Sequence, residues 1–308
     1  MTAGLSISVV IPLYNKAAYI TEAIQSVLQQ RLPAMEVVVV DDGSTDDGPD
    51  RVRALAAQRV RLVSQANAGV AAARNHGITL ATGDLVAFLD ADDLHHPDYL
   101  ATVALLSQRY PQAGVYCTGY SRVDAAGRRT DVGHGGVAPG ASALIADFYG
   151  DWSRSSFSCT ISTTVRRELL LGLWPPFPVG EPLGEDQDLW FRLAEAGAVA
   201  YCNRPLAVYR VEVPNSATQA GQVLDPLPCY QRLAQRLASQ QVPVRMQAGA
   251  RRLLACHLIN VARALAQSGQ LRDAAALLRQ PMARGNLRYW LRSAVWLAWL
   301  KMGRLVGR

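Results

Sequence analysis

The chain has 308 residues, enough for one large α/β domain or for a medium domain plus a small one. Half of the residues are apolar and 18% are charged, which excludes a disordered chain. A net charge of +6 is too small an excess for this length to imply nucleic acid without a located basic patch, and no nucleic-acid motif accompanies it.

In chain order, Ser6 to Pro12 (SISVVIP) predicts a strand and Ala17 to Gln30 a helix. Glu36 to Asp42 (EVVVVDD) predicts a second strand, followed by a helix, a strand at RLVSQ, a helix through AAARNHGITLA and a strand at Asp84 to Asp90 (DLVAFLD). Short β-branched strands separated by amphipathic helices read as successive βαβ units, hence an α/β fold with a mainly parallel sheet flanked by helices. From about Gly127 to Ser158 the periodicity weakens among Gly, Ser, Asp and aromatic residues, which predicts a long loop or partly ordered insertion, a candidate lid. Order returns with a strand near Thr160 to Arg166, a helix from Glu185 to Ala196 and a strand at Ala198 to Cys202.

After Asp225 the composition shifts to Ala, Leu, Arg and Gln at helical spacing, with Pro226 and Pro228 at the junction. This divides the chain into an α/β domain over 1–224 and a helical C-terminal region over 225–308. RALAQSGQLRDAAALLRQ has the look of a single helix-turn-helix repeat unit; one copy is not an array, so a helical hairpin is expected.

In open α/β sheets the ligand crevice lies beyond the carboxyl ends of the strands. Tyr14-Asn15, Asp41-Asp42 and the run Asp90-Ala91-Asp92-Asp93 all fall there. Several carboxylates where strand pairing stops are favourable if a hard divalent cation or sugar hydroxyls share the site. The structural alternative is an acidic loop whose Asp93 caps the next helix. Asp41 and Asp42 are placed to accept hydrogen bonds from a base or ribose, and Gly43 with Ser44 or Asp46 equally makes a turn and helix cap. Tyr14 offers a stacking face for a base. Glu185-Asp186 opens a helix whose Leu189, Trp190 and Leu193 form an apolar stripe; acidic residues in a first turn also simply complement the helix dipole.

Four ordered motifs carry a family resemblance: SVVIPLYNKAAYITEAIQSVLQQ, EVVVVDDGSTDD, NAGVAAARNHGITLATGDLVAFLDADD and GEDQDLWFRLAEAG. Over about Ser6 to Arg210 the chain resembles the inverting family 2 glycosyltransferases of the GT-A fold. The resemblance implies transfer of a sugar from a nucleoside-diphosphate sugar, a UDP-sugar in particular, to a hydroxyl of a glycan or lipid-linked acceptor in bacterial surface-polysaccharide synthesis. It implies Asp186 as the catalytic base, and Pro12, Tyr14, Asp41, Asp42, Arg74, Asp90 and Ala91 around the donor. Asp92 or Asp93 would ligate Mn²⁺ or Mg²⁺, and Glu185, Asp188 and Trp152 are acceptor-side candidates. Many members carry a histidine shortly after the Tyr-Arg that closes the domain; here VYRVEVPNSAT places Glu212 there, as a substitute oxygen ligand or a solvated loop residue.

Two other readings compete: a nucleotide-sugar-binding module without turnover, which has no need of Glu185-Asp186, and a nucleotidyltransferase, which would want a Gly-rich basic loop where LYNKAAYI stands. Neither GxGxxG nor GxxxxGK[ST] appears. Five scattered cysteines without a CxxC pair suggest neither a disulfide framework nor zinc, and the five histidines, without zinc spacing, are expected as surface or cap residues. No signal-peptide pattern opens the sequence and no apolar run reaches about 20 residues, so a cytoplasmic protein is expected. NLRYWLRSAVWLAWLKMGRLVGR, dense in Trp and Leu and flanked by Arg and Lys, fits a helix at 286–308 lying on the inner face of an anionic membrane, or one packing on the domain.

Overall fold

The computed structural model describes residues 5–55, 59–181, 183–211, 213 and 223–306, with backbone alone for 301–306. They fall into two compact units, Met1–Ala146 with Ser156–Ser216, and Asp147–Ser155 with Ala217–Arg308.

The first unit is built on a sheet that begins with β1 (Ile7–Leu13), whose seven residues are all buried. A run apolar on both faces is what a strand covered on both sides requires. Helix α1 (Ala17–Leu28) follows and buries Ala17, Ile20, Ala23, Ile24 and Val27, one stripe at helical spacing. Then come β2 (Glu36–Asp41), α2 (Gly48–Ala54), β3 (Val60–Ser64), α3 (Val70–Leu80) and β4 (Leu85–Phe88). Parallel registers align Leu13 with Asp41 and Val10 with Phe88, bringing the carboxyl ends of β1, β2 and β4 together.

The second half of the sheet departs from that pattern. β5 (Leu94–His95), α4 (Tyr99–Arg109), β6 (Ala113–Val123), β9 (Thr163–Arg166), α6 (Arg167–Gly172), α7 (Glu185–Ala196) and β10 (Ala198–Arg210) complete the main path, in the order β3-β2-β1-β4-β9-β6-β10-β5. β9 runs antiparallel between β4 and β6, whereas β6 and β10 are parallel. The stretch expected as a long loop or partly ordered insertion over 127–158 holds β7 (Arg129–Val132) on β6, β8 (Ser142–Leu144) on β10, and helix α5 (Phe148–Trp152). Its strands are three and four residues long and largely exposed, too short to stamp an alternation on the sequence.

The second unit combines α5 with α8 (Pro228–Ala238), α9 (Val244–Gln267), α10 (Leu271–Arg279), a 3-10 stretch over Pro281–Asn286 and α11 (Leu287–Val306). α9 and α10 make the expected hairpin. Ile259, Leu265, Ala274, Leu278 and Leu297 form its core, edged by Tyr289, Trp290 and Trp296. α9 approaches α5 closely at Gly249, where a Cβ would meet Asp147 Oδ1 at 2.2 Å. Trp290 Nε1 donates to Leu278 O at 2.7 Å, which fastens α11 to α10.

Candidate active site

Beyond β2 the chain turns at Gly43, whose φ of 75° suits glycine and whose Cβ would meet Asn67 N at 3.0 Å. The turn therefore lies against the 65–69 loop, and Asp42 is the anchor. Its Oδ1 accepts from Gln65 Nε2 and Ala68 N, and its Oδ2 from Gly69 N, at 2.8 to 2.9 Å. Asp41 Oδ1 accepts from Ser44 N, so both buried carboxylates organise the backbone around the crevice mouth. Asp46 bonds Ala17 N and Gly48 N and ties the turn to α1. Pro12 is buried in β1 opposite Val40, and Tyr14, just past the strand, is exposed.

Arg74, on α3, is the hub of the site. Its guanidinium donates to Asp90 Oδ1 at 2.7 Å and to Glu185 Oε1 at 2.9 Å, and lies over the Phe177 ring. The side chain is 5% exposed, so the two carboxylates share a charge that water barely reaches. Burial would lower its pKa, but Asp90 and Glu185 outweigh that and hold it above the ordinary value. Expected as a base or phosphate contact, Arg74 is engaged with two carboxylates of the chain itself.

The 90–93 turn closes with Asp93 N donating to Asp90 O, and its carboxylates diverge. Asp92 Oδ2 meets Lys16 Nζ at 2.9 Å. Asp93 is buried, accepts from Arg210 N on Oδ1, and keeps Oδ2 without a hydrogen-bond partner among the described residues. Burial, and then the neighbouring Asp90 and Asp92, push its pKa well up. It does not cap the next helix, whose N-cap is Asp98. Ala91 is buried within the turn.

Glu185 and Asp186 open α7 after Gly184, whose φ of 85° makes the entry. Asp186 Oδ2 accepts from Thr160 Oγ1 at 2.9 Å and Oδ1 from Gln187 N at 2.7 Å, and the residue is half-buried. Burial and the adjacent Asp186 raise the pKa of Glu185 against the opposing pull of Arg74. Asp188 is buried and pairs with Arg192, which also holds the Leu173 and Pro176 carbonyls, so it braces the loop before the helix. Trp152 belongs to the second unit, where it is buried and stacked on Phe148. Glu212 lies outside the described residues. His95 and His134, expected at the surface, are buried: His95 Nε2 bonds Ile161 O and its ring stacks on Tyr99.

Five segments distant in sequence are thus linked: Lys16 to Asp92, Asp90 to Arg74, Arg74 to Glu185, and Asp186 to Thr160. Lys16 and Thr160 escaped the sequence reading. Lys16 stands inside the YNK stretch, a signal available to it; Thr160 reaches Asp186 only through the sheet. Asn75 also went unnoticed: it donates to Phe177 O and accepts from Phe177 N, pinning the loop that carries that ring.

Among the described residues, no three His, Cys, Asp or Glu side chains form a ready metal cage. The oxygen donors present nonetheless suit a hard cation that takes one or two carboxylates and completes its shell from phosphates and water: Asp90 and Asp92 are each partly exposed, and Asp93 Oδ2 has no hydrogen-bond partner among the described residues.

The sheet with its flanking helices is a GT-A type α/β fold. Residues 8–163 match the family described as "Glycosyl transferase family 2", and the chain belongs to it. It is 32% identical over 219 residues to an uncharacterized glycosyltransferase of Nostoc sp., covering 70% of this chain and 68% of that protein. The match to an uncharacterized glycosyltransferase of Rickettsia felis is 30% identical, over 67% of this chain and 33% of that longer protein. Among solved structures, S. aureus TarS 1-349 in complex with UDP-GlcNAc superposes with a TM-score of 0.69 at 19% identity, covering 97% of this chain and 92% of that one, a likeness of fold.

Proposed function

We propose that the protein transfers a sugar, with inversion, from a UDP-sugar to a hydroxyl of a glycan or lipid-linked acceptor in bacterial surface-polysaccharide synthesis. The observation that carries this reading is the Arg74 clamp, which joins the acidic turn after β4 to the helix that presents Asp186. The UDP-GlcNAc held by the structurally similar TarS supports the donor class, and the bacterial relatives support the setting.

Tyr14 stacks on the base, and Asp41 and Asp42 receive its N–H and the ribose through the lone pairs that the loop leaves over. Pro12, Asp90 and Ala91 line the ribose and diphosphate. Arg74 acts by holding Asp90 and Glu185 in place. Asp92, with Asp93 beside it, would hold Mn²⁺ or Mg²⁺, which supplies positive charge against the departing diphosphate. Asp186 takes the proton of the acceptor hydroxyl as its oxygen bonds to the anomeric carbon; the bond from that carbon to the diphosphate oxygen breaks, and UDP leaves. Thr160 Oγ1 and Gln187 N orient the base. Glu185 and Asp188 hold the acceptor side through the loop and helix they brace.

No helix among the described residues is long and apolar enough to cross a membrane. On α11, Leu287, Leu291, Val295 and Trp299 form an exposed apolar row beside exposed Arg288 and Arg292. That face suits peripheral attachment to an anionic bilayer, where a lipid-linked acceptor would be met.

Asp186→Asn tests the assignment. It should keep UDP affinity, measured by calorimetry, and lose roughly a hundredfold or more in UDP release from a panel of UDP-sugars. Full turnover by the variant would remove Asp186 as the base.

A further inference from the structure

Sheet pairing between β1 and β2 ends where Asp42 N donates to Leu13 O at 2.8 Å. Tyr14 on one strand and Asp41 and Asp42 on the other stand at or just past that last bond. Beyond it the two strand ends are joined by side chains, with Asn15 at the centre. Its Oδ1 accepts from Thr45 N at 2.7 Å and from Thr45 Oγ1 at 3.2 Å, and its N–H donates to Ser44 Oγ at 3.2 Å. Ser44 N in turn donates to Asp41 Oδ1 at 2.9 Å, so a run of bonds leads from the residue after Tyr14 to a carboxylate of the opposite strand end. Asn15 sits at φ 50°, a left-handed backbone that a short, locally bonded polar side chain tolerates and most other residues resist.

We propose that Asn15 is the positioning residue of the nucleobase clamp: it fixes the stacking side, Tyr14, against the hydrogen-bonding side, Asp41 and Asp42, and so sets the preference for one base. This rests on the proposed reading of those three residues as the base site. A stacking ring and a carboxylate read the same planar base together only while their spacing is held to within about 0.5 Å. Asn15 supplies that constraint from the residue adjoining Tyr14, where the sheet no longer does. Asp46 ties the same turn to the start of α1 through Ala17 N, so the helix stays attached when Asn15 is changed. The effect therefore falls on the part of nucleotide affinity that depends on the base, and not on the part contributed by the diphosphate.

Calorimetric titration of the full-length protein with UDP and with ADP, each in the presence of Mn²⁺, tests this. Asn15→Gly keeps the left-handed backbone at no steric cost and removes the side-chain bonds. It should bind UDP roughly tenfold more weakly and ADP within about twofold of wild type, so the preference for UDP shrinks by nearly the whole loss. Asn15→Asp keeps both the backbone and an acceptor for Thr45. Its added charge acts on both nucleotides alike, so the wild-type preference should survive. Ser44→Ala, which deprives the Asn15 N–H of its acceptor, replaces Asn15→Gly if the latter does not fold, with a loss in the same direction. An unchanged preference for UDP in Asn15→Gly overturns the inference, as does an equal weakening of UDP and ADP, which is what general loosening of the fold would give. Loss of the preference in Asn15→Asp overturns it too. A wild-type protein with no preference for UDP, or a Tyr14→Ala variant that retains one, would instead overturn the reading of the base site and the inference with it.

Discussion

Arg74 concentrates the electrostatics of the site in one side chain. Removing it would leave Asp90 and Glu185 without the cation they share, and an uncompensated charge in a largely buried setting is among the more damaging single changes. Arg74→Met is expected to cost about 3–5 kcal/mol of stability, read from urea denaturation. Arg74→Lys should recover part of this, because one ammonium keeps the charge but cannot span both carboxylates. This role was half legible. That Arg74 belongs near the donor was implied by the family resemblance, but that both its arms are taken by carboxylates 16 and 111 residues away is a product of the fold. Asp42 teaches the same lesson: the strand end marks it, while its three donors come from the QANAG loop, whose pairing with Asp42 only the fold shows.

Among the elements, α3 lies on β1 so closely that a Cβ at Gly77 would meet Val10 Cγ1 at 2.3 Å. Val10 is fully buried, so Gly77→Ala must shift the strand or the helix; a loss of about 1–3 kcal/mol is expected in denaturant titration despite the better helix propensity of alanine. In the helical unit, His257 stacks on Tyr230 and its Nε2 accepts from Leu227 N, which requires a neutral ring. Burial pushes its pKa down to about 4. Between its ordinary value near 6.5 and that value, the unfolded chain takes up a proton that the folded one refuses, so stability falls as pH drops through this window. A loss of about 2 kcal/mol between about pH 7 and pH 4.5 is expected, and His257→Gln should flatten it. The parallel strands and their helices were readable because burial on both faces writes continuous apolar runs. β7, β8 and the antiparallel direction of β9 were not, since pairing partners and strand sense are decided by residues far along the chain.

For the molecule as a whole, α11 closes the helical core with one face and offers an apolar row on the other. Sedimentation with vesicles rich in anionic lipid should carry the protein down at low salt and less at high salt, and Leu291→Glu with Trp299→Glu should abolish it while activity on a soluble acceptor persists. Binding unaffected by both substitutions would place attachment elsewhere. Composition suggests a change to helical sequence after Asp225, but α5, which the chain lends to the helical unit from the middle of the α/β sequence, is not legible there, because five residues carry too little periodicity. β9 has a consequence of another kind, for the order of events on the ribosome. The partner that covers the open side of β4 begins at residue 163, so for some 75 residues of synthesis the nascent sheet carries a bare, fully apolar edge. Stalled or prematurely released chains of this length are the ones that holdase chaperones would be called on to shield.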